Sequence, residues 1–314
     1  MDYPHVAGIV EDTAQQIVGM RIRGAGRIAR AGASAIGEFA KTYEGGTLET
    51  FLKDLDKAAD VLISSRPTAV SLRNGVCAAL RGVSEATSLE EAKGMAVFNA
   101  DSFVESSSKA LETIASIGAK RIQDGDSVLT HCNSSAALGV IKEAVRQGKH
   151  VKAYATETRP WRQGLLTVRE LSDAGIDVTL IVDSAVRSVM RRIDEVFVGA
   201  DTITSDGVLI NKVGTSQLAL AAHEARVPFY VCAETYKFSP LTLSGDMVEI
   251  EEREIAEVAR PGEVPDSVKI FNPVFDSTPG RYIDALITEE GLMPPAAVYS
   301  VLSRQAAGRG ALKE

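Results

Sequence analysis

Apolar positions change their period once along this chain, near Gly125. From about residue 10 to 120 they recur every three and four residues. Leu48, Phe51, Leu52, Leu55, Ala58, Ala59 and Leu62 form one such stripe. Ala96, Phe98, Phe103, Leu111 and Ile114 form another within residues 88–122. That spacing lines one face of a helix. Breaks fall at Arg23-Gly24-Ala25-Gly26, at Glu44-Gly45-Gly46 and at Ser65-Arg66-Pro67, and no β-like run precedes Gly125. After Gly125, short apolar runs at residues 128–129, 151–156, 178–182, 195–198 and 229–232 alternate with helical patterns at 136–147, 161–174, 184–192 and 215–225. Such alternation predicts parallel strands joined by crossover helices. Beyond about residue 240 the pattern weakens. Residues 272–279 read as an ordered, turn-rich loop and residues 282–288 as a short helix.

A parallel sheet binds its ligand at the carboxyl ends of its strands. Polar clusters stand there: residues 130–135, Glu157-Thr158-Arg159, Asp183-Ser184, Gly199-Ala200-Asp201 and residues 234–237 each follow an apolar run. This repeated coincidence predicts one shared site.

Composition narrows the class. The 314 residues are 45% hydrophobic and 24% charged, as in a water-soluble globular protein of one large or two modest domains. A net charge of -8 without a long basic run argues against nucleic acid as a partner, while leaving room for a local cationic pocket. Cys77, Cys132 and Cys232 suit neither a disulfide framework nor a zinc site. Met1-Asp2-Tyr3-Pro4-His5 lacks the basic start and apolar core of a leader, and no 18-residue apolar run exists. The expectation is a cytoplasmic protein with no membrane partner.

The stretch Thr130-His131-Cys132-Asn133-Ser134-Ser135-Ala136 joins a strand to a helix start. Amides there attract anions, and the positive helix end favours a thiolate; a buried structural cysteine behind an Asn/Ser cap is the alternative. In a strand His131 and Cys132 point to opposite faces, so His131 is a core residue rather than a base for Cys132. Gly24-Ala25-Gly26-Arg27-Ile28-Ala29 fits a dinucleotide fingerprint, but a helical pattern rather than a strand precedes it. It reads as a turn between helices, either structural or a phosphate contact with Arg23. Pro67 is expected to hold Ser65–Arg66 out of helical geometry and to open the next helix, fixing Arg66 on a rigid corner as a phosphate ligand or a surface charge. Asp201 ends an apolar strand, where lost solvent suits an acid or base; a turn aspartate is the alternative. Lys212 before Val213-Gly214-Thr215-Ser216 forms an anion cradle by its physics, without P-loop spacing.

As a set, these motifs resemble one family. It contains archaeal ribose-1,5-bisphosphate isomerases, methylthioribose-1-phosphate isomerases and the α/β/δ regulatory subunits of translation initiation factor 2B. The pieces are Arg23-Gly24-Ala25-Gly26, Arg66-Pro67-Thr68-Ala69-Val70, Thr130-His131-Cys132-Asn133, Glu157-Thr158-Arg159-Pro160, Gly199-Ala200-Asp201, Asn211-Lys212-Val213-Gly214-Thr215 and Asn272-Pro273, in family order. The resemblance implies an α/β protein: an N-terminal helical domain, residues 1–122, followed by a Rossmann-like catalytic domain, residues 123–314, with a mainly parallel sheet. It implies Cys132 and Asp201 as the catalytic pair. It implies Arg23, Gly24, Ala25, Gly26, Arg66, Ser134, Ser135, Ala136, Asn211, Lys212 and Lys237 as ligands of a phosphorylated sugar, with no metal or cofactor. Arg23-Gly24-Ala25-Gly26 and Cys132-Asn133-Ser134-Ser135 look most like the ribose-bisphosphate isomerases, since methylthioribose enzymes typically have Pro at the end of the first motif and Ala-Gly at the end of the second. Arg73 stands where the family often has Pro. Ribose 1,5-bisphosphate isomerisation in AMP salvage, within a homo-oligomer of dimers built into a hexamer, is the implied role. A methylthioribose-1-phosphate isomerase and a non-catalytic exchange-factor-like subunit are the alternatives.

Overall fold

The computed structural model describes residues 8–242, 248–265 and 267–307; the leader expectation at residues 1–5 lies outside them. The chain forms two compact units, residues 1–110 and 111–314. The first is helical: α1 Ile9–Val18, α2 Ala25–Thr42, α3 Leu48–Ser64, α4 Val70–Ala79 and most of α5 Leu89–Ala119, within which the division falls. The three-and-four spacing has a direct consequence: Ile36, Phe39, Phe51, Leu55, Leu62 and Leu72 are buried in one cluster. Thr47 caps α3 through a reciprocal pair with Thr50. A Cβ on Gly75 would stand 2.6 Å from the Ala29 carbonyl oxygen, so only glycine lets α2 and α4 approach this closely. Pro67 departs from expectation. Ser65 stays in right-handed helical geometry and α4 begins at Val70, so Pro67 lies in the connecting loop. The Ala69 N–H closes a turn on the Arg66 carbonyl at 3.0 Å, with Pro67 and Thr68 at its centre, before α4 begins.

The second unit is built on a seven-stranded sheet. In chain order its strands are β1 Ser127–Thr130, β2 Lys152–Thr156, β3 Asp177–Ile181, β4 Glu195–Val198, β7 Phe229–Cys232, β9 Ala285–Thr288 and β10 Gly291–Met293. The spatial order is β10-β9-β7-β4-β1-β2-β3, and every pairing except β9–β10 is parallel. Helices α6 Ser135–Arg146 and α7 Gly164–Asp173 follow β1 and β2, and α9 Thr215–Ala225 precedes β7. Between β3 and β4 the expected helix at 184–192 is a four-residue α8, Val186–Val189, flanked by 3₁₀ turns.

Strand alternation divides the core. Val128, Phe197, Tyr230, Cys232 and Ile287 pack with Ala137, Val140 and Ile141 of α6. Leu129, Val196, Val198, Val231 and Leu286 pack with Leu218, Ala219 and Ala222 of α9. Both faces of the central strands β1, β4, β7 and β9 are covered, so these strands read as continuous apolar runs. This explains one misreading. Residues 285–288 form a wholly buried strand beside β7 rather than part of a helix, because a short run lacking a polar face carries no period. The expected loop at 272–279 contains β8 Phe275–Thr278, which joins β5 Thr202–Ile203 and β6 Leu209–Lys212 in a second, antiparallel sheet.

Candidate active site

From β1 the chain continues through β2 to β3 on one side of the sheet, and from β4 to β7 and β9 on the other. The order reverses between β1 and β4, where an open α/β sheet leaves a crevice beyond its strand ends. Cys132 and Asp201 follow those two strands, and Val128 and Leu129 lie opposite Glu195 and Val196. The two strand exits are closely packed. A Cβ on Gly199 would collide with Ser134 Oγ and stand 2.6 Å from its Cβ, so the turn after β4 needs glycine to lie against the turn after β1.

Cys132 is partly buried and left-handed, with φ 67°, a conformation costing roughly 1–3 kcal/mol for a residue with a Cβ. Hydrogen bonds hold it there. Its N–H donates to Thr158 Oγ1 at 3.0 Å, and its carbonyl accepts from Thr167 Oγ1 at 2.6 Å. His131 Nε2 lies 2.9 Å from the Val213 carbonyl and its Nδ1 2.6 Å from Thr156 Oγ1. A carbonyl only accepts, so Nε2 carries the proton and Nδ1 accepts from Thr156. Burial holds the His131 pKa below its ordinary value, which matches this neutral tautomer. With both nitrogens engaged, His131 builds the turn and is no base for Cys132. Ser134 caps α6, its Oγ accepting from the Ala137 amide at 3.3 Å; Ser135 is exposed, and Ala136 is buried, so it can offer a ligand only its backbone.

The second sheet brings further candidates to the same edge. The Asp201 N–H donates to the Ile210 carbonyl at 3.1 Å, placing Asp201 beside Asn211 and Lys212 across the β5–β6 pairing. Asn211 is buried and donates to Thr215 Oγ1 at 3.0 Å. The Lys212 ammonium lies 4.8 Å from the centre of the Phe275 ring. After β7, Phe238 bridges to Ile203, so Lys237 lies alongside the residues after Asp201. Lys237 is only 5% exposed and pairs with Glu234 at 2.7 Å. Burial raises the Glu234 pKa, but the neighbouring Lys237 outweighs it and leaves the carboxyl below its ordinary value. Arg23, Gly24, Ala25, Gly26 and Arg66 belong to the helical unit, in the α1–α2 connection, the start of α2 and the α3–α4 connection.

One expectation is corrected. The α9 start is already filled by a carboxylate of the chain. Asp276 accepts from the Gly214 amide at 2.7 Å, from the Ser216 amide at 3.1 Å and from Ser216 Oγ at 2.9 Å. A ligand anion would have to displace it, so the Gly214 and Ser216 amides are structural. Sequence reasoning also missed Thr158, Thr167 and Asp183, which fix the Cys132 turn. Thr158 and Asp183 stood in the polar clusters after their strands, but nothing in residue type assigned their partners.

An α/β sheet with candidate proton-transfer groups on either side of its reversal point is the class that this geometry defines. The chain belongs to the initiation factor 2 subunit family, whose model matches residues 21–295. It is 52% identical over 296 residues to a ribose 1,5-bisphosphate isomerase of Methanocaldococcus jannaschii, covering 94% of this chain and 95% of that one. A protein of the same name from Archaeoglobus fulgidus is 51% identical, covering 94% and 93%. A putative methylthioribose-1-phosphate isomerase of Archaeoglobus fulgidus is 41% identical, covering 91% and 88%. Among solved structures, the delta subunit of translation initiation factor eIF-2B from Archaeoglobus fulgidus superposes with TM-score 0.76 at 39% identity, covering 94% and 91%. The 5-methylthioribose 1-phosphate isomerase of Pyrococcus horikoshii does so with TM-score 0.78 at 32% identity, covering 94% and 88%. Identity of this extent to enzymes, over nearly their whole length, makes the chain an isomerase. No helix among the described residues is long and apolar enough to cross a membrane.

Proposed function

We propose that the chain converts α-D-ribose 1,5-bisphosphate to D-ribulose 1,5-bisphosphate, with Asp201 as acid and Cys132 as base. The 1-phosphate locks the sugar ring, so opening needs a proton on the ring oxygen as its bond to C1 breaks. Asp201 supplies that proton while the Cys132 thiolate removes the proton from C2, leaving an enol between C1 and C2. Cys132 then returns its proton to C1 as the Asp201 carboxylate takes the proton of the 2-hydroxyl. Both groups end as they began, and the atoms balance without a cofactor. A positioned acid or base is worth about 10²–10⁴-fold.

The observation that carries this reading is that Cys132 and Asp201 stand just past the carboxyl ends of the two strands that flank the reversal of the sheet. Lys212, Lys237, Asn211 and the Ser134-Ser135-Ala136 turn are proposed as ligands of the sugar phosphate, as are Arg23, Gly24, Ala25, Gly26 and Arg66. These contacts act on ground and transition state alike, so Arg66→Ala should raise KM with little change in kcat. The role is proposed in nucleotide salvage from AMP, in the cytoplasm, and the assembly as a homo-oligomer of dimers forming a hexamer. Light scattering tests the assembly, and a clean monomer would refute it. Incubation with ribose 1,5-bisphosphate and detection of the ketose tests the reaction. Turnover of methylthioribose 1-phosphate in its place would favour the other isomerase of the family.

A further inference from the structure

Two residues that carry a Cβ are left-handed at the ends of neighbouring strands: Cys132 after β1, with φ 67°, and Thr158 after β2, with φ 60°. For a β-branched residue this backbone is a true outlier, usually left to glycine or asparagine. Neither of those presents a hydroxyl, and the Thr158 hydroxyl is the group that accepts the Cys132 N–H. We infer that Thr158 is the positioning residue of the catalytic cysteine, held in its unfavourable backbone so that its hydroxyl fixes the Cys132 amide. The inference rests on the proposed role of Cys132.

The support behind Thr158 is continuous. Asp183 grips it from the next strand exit, accepting from the Thr158 and Arg159 amides at 2.8 Å each. Thr156 Oγ1 lies 3.2 Å from Thr158 Oγ1. Because Thr156 donates to His131 and Thr158 accepts from Cys132, one proton order satisfies the chain: Cys132 N–H to Thr158, Thr158 O–H to Thr156, Thr156 O–H to His131. On the far side of Cys132, Thr167 holds the carbonyl. Thr156, Thr158 and Thr167 are at most 1% exposed, so water has no ready access to replace a deleted hydroxyl. The peptide planes on both sides of Cys132 are thereby fixed, and with them the direction of the Cα–Cβ bond that carries its thiol.

The test pairs Thr158→Val, which keeps the shape and removes the hydroxyl, with Thr158→Ser, which keeps the hydroxyl. For ribose 1,5-bisphosphate, Thr158→Val should lower kcat about tenfold or more with KM little changed, as misplacement of a reacting group does. Thr158→Ser should recover most of the rate. The pH profile of Cys132 alkylation by iodoacetamide, read on its own peptide by mass spectrometry, should shift in the valine variant and return in the serine variant. Unchanged kcat and an unchanged alkylation profile in Thr158→Val would overturn the inference. Cys132→Ser is run alongside. If it keeps full turnover, the catalytic reading fails, while the alkylation profile still scores the positioning. If Thr158→Val does not fold, Thr158→Ala removes the same hydroxyl and should show the same loss; a normal kcat there would overturn the inference equally.

Discussion

Two strand-to-helix turns at the same edge of the sheet carry similar sequence physics and come to opposite ends. The turn from β6 to α9 runs Lys212-Val213-Gly214-Thr215-Ser216, and the turn from β1 to α6 runs Cys132-Asn133-Ser134-Ser135. The first fills its helix start with the Asp276 carboxylate. Among the described residues the second is capped by the neutral Ser134 hydroxyl, and Ser135 is exposed. A helix start with an internal anion is closed to ligands, whereas one with a neutral cap keeps its field available to a thiolate or a phosphate. The difference separates a structural turn from the turn that the proposed chemistry needs.

The contrast predicts unequal costs. Asp276→Ala should destabilise the fold most, by about 3 kcal/mol, since it strands donors at a largely buried helix start. Ser134→Ala should cost only about 1 kcal/mol. Urea unfolding measures both, and equal losses would erase the distinction. Strand β4 offers the next test, because Glu195 stands at the edge opposite Asp201. Burial, with Asp126 second, lifts the Glu195 carboxyl to about 7. The native state therefore binds this proton more tightly than the unfolded chain. Its contribution is complete below the ordinary value of 4.5 and is lost as pH rises towards 7. Glu195→Gln should abolish that loss, worth at most about 3 kcal/mol by pH 8, and leave the pH profile of kcat unmoved. A stability curve identical to wild type between pH 4 and 8 would contradict this. Gly199→Ala comes next. Its Cβ must displace Ser134, so kcat should fall roughly tenfold at a stability cost of about 2 kcal/mol.

What was legible in the sequence follows from these physics. The parallel sheet was readable because β1, β2, β3, β4 and β7 are short apolar runs followed by polar residues, and the helical unit because its stripes keep one period. Cys132 and Asp201 could be named as candidates from strand ends alone. The fate of the cradle at Gly214-Thr215-Ser216 could not, because its anion comes from Asp276, sixty residues away from Ser216, in a segment read as a loop. The role of Thr158 was hidden for a different reason: a left-handed threonine has no signature in its neighbours, and its partners arrive from three strand exits. Strand β9 was missed because a run buried on both faces shows no alternation.

The kinetics of Cys132→Ser with ribose 1,5-bisphosphate most directly probe the β1–β4 edge as the seat of proton transfer. Serine keeps the shape and hydrogen bonding of the turn but is a far weaker base. Calorimetry should show the bisphosphate still bound, and ketose formation should fall at least about 10²-fold in kcat. Near-normal kcat in Cys132→Ser would make Cys132 structural and move the base elsewhere.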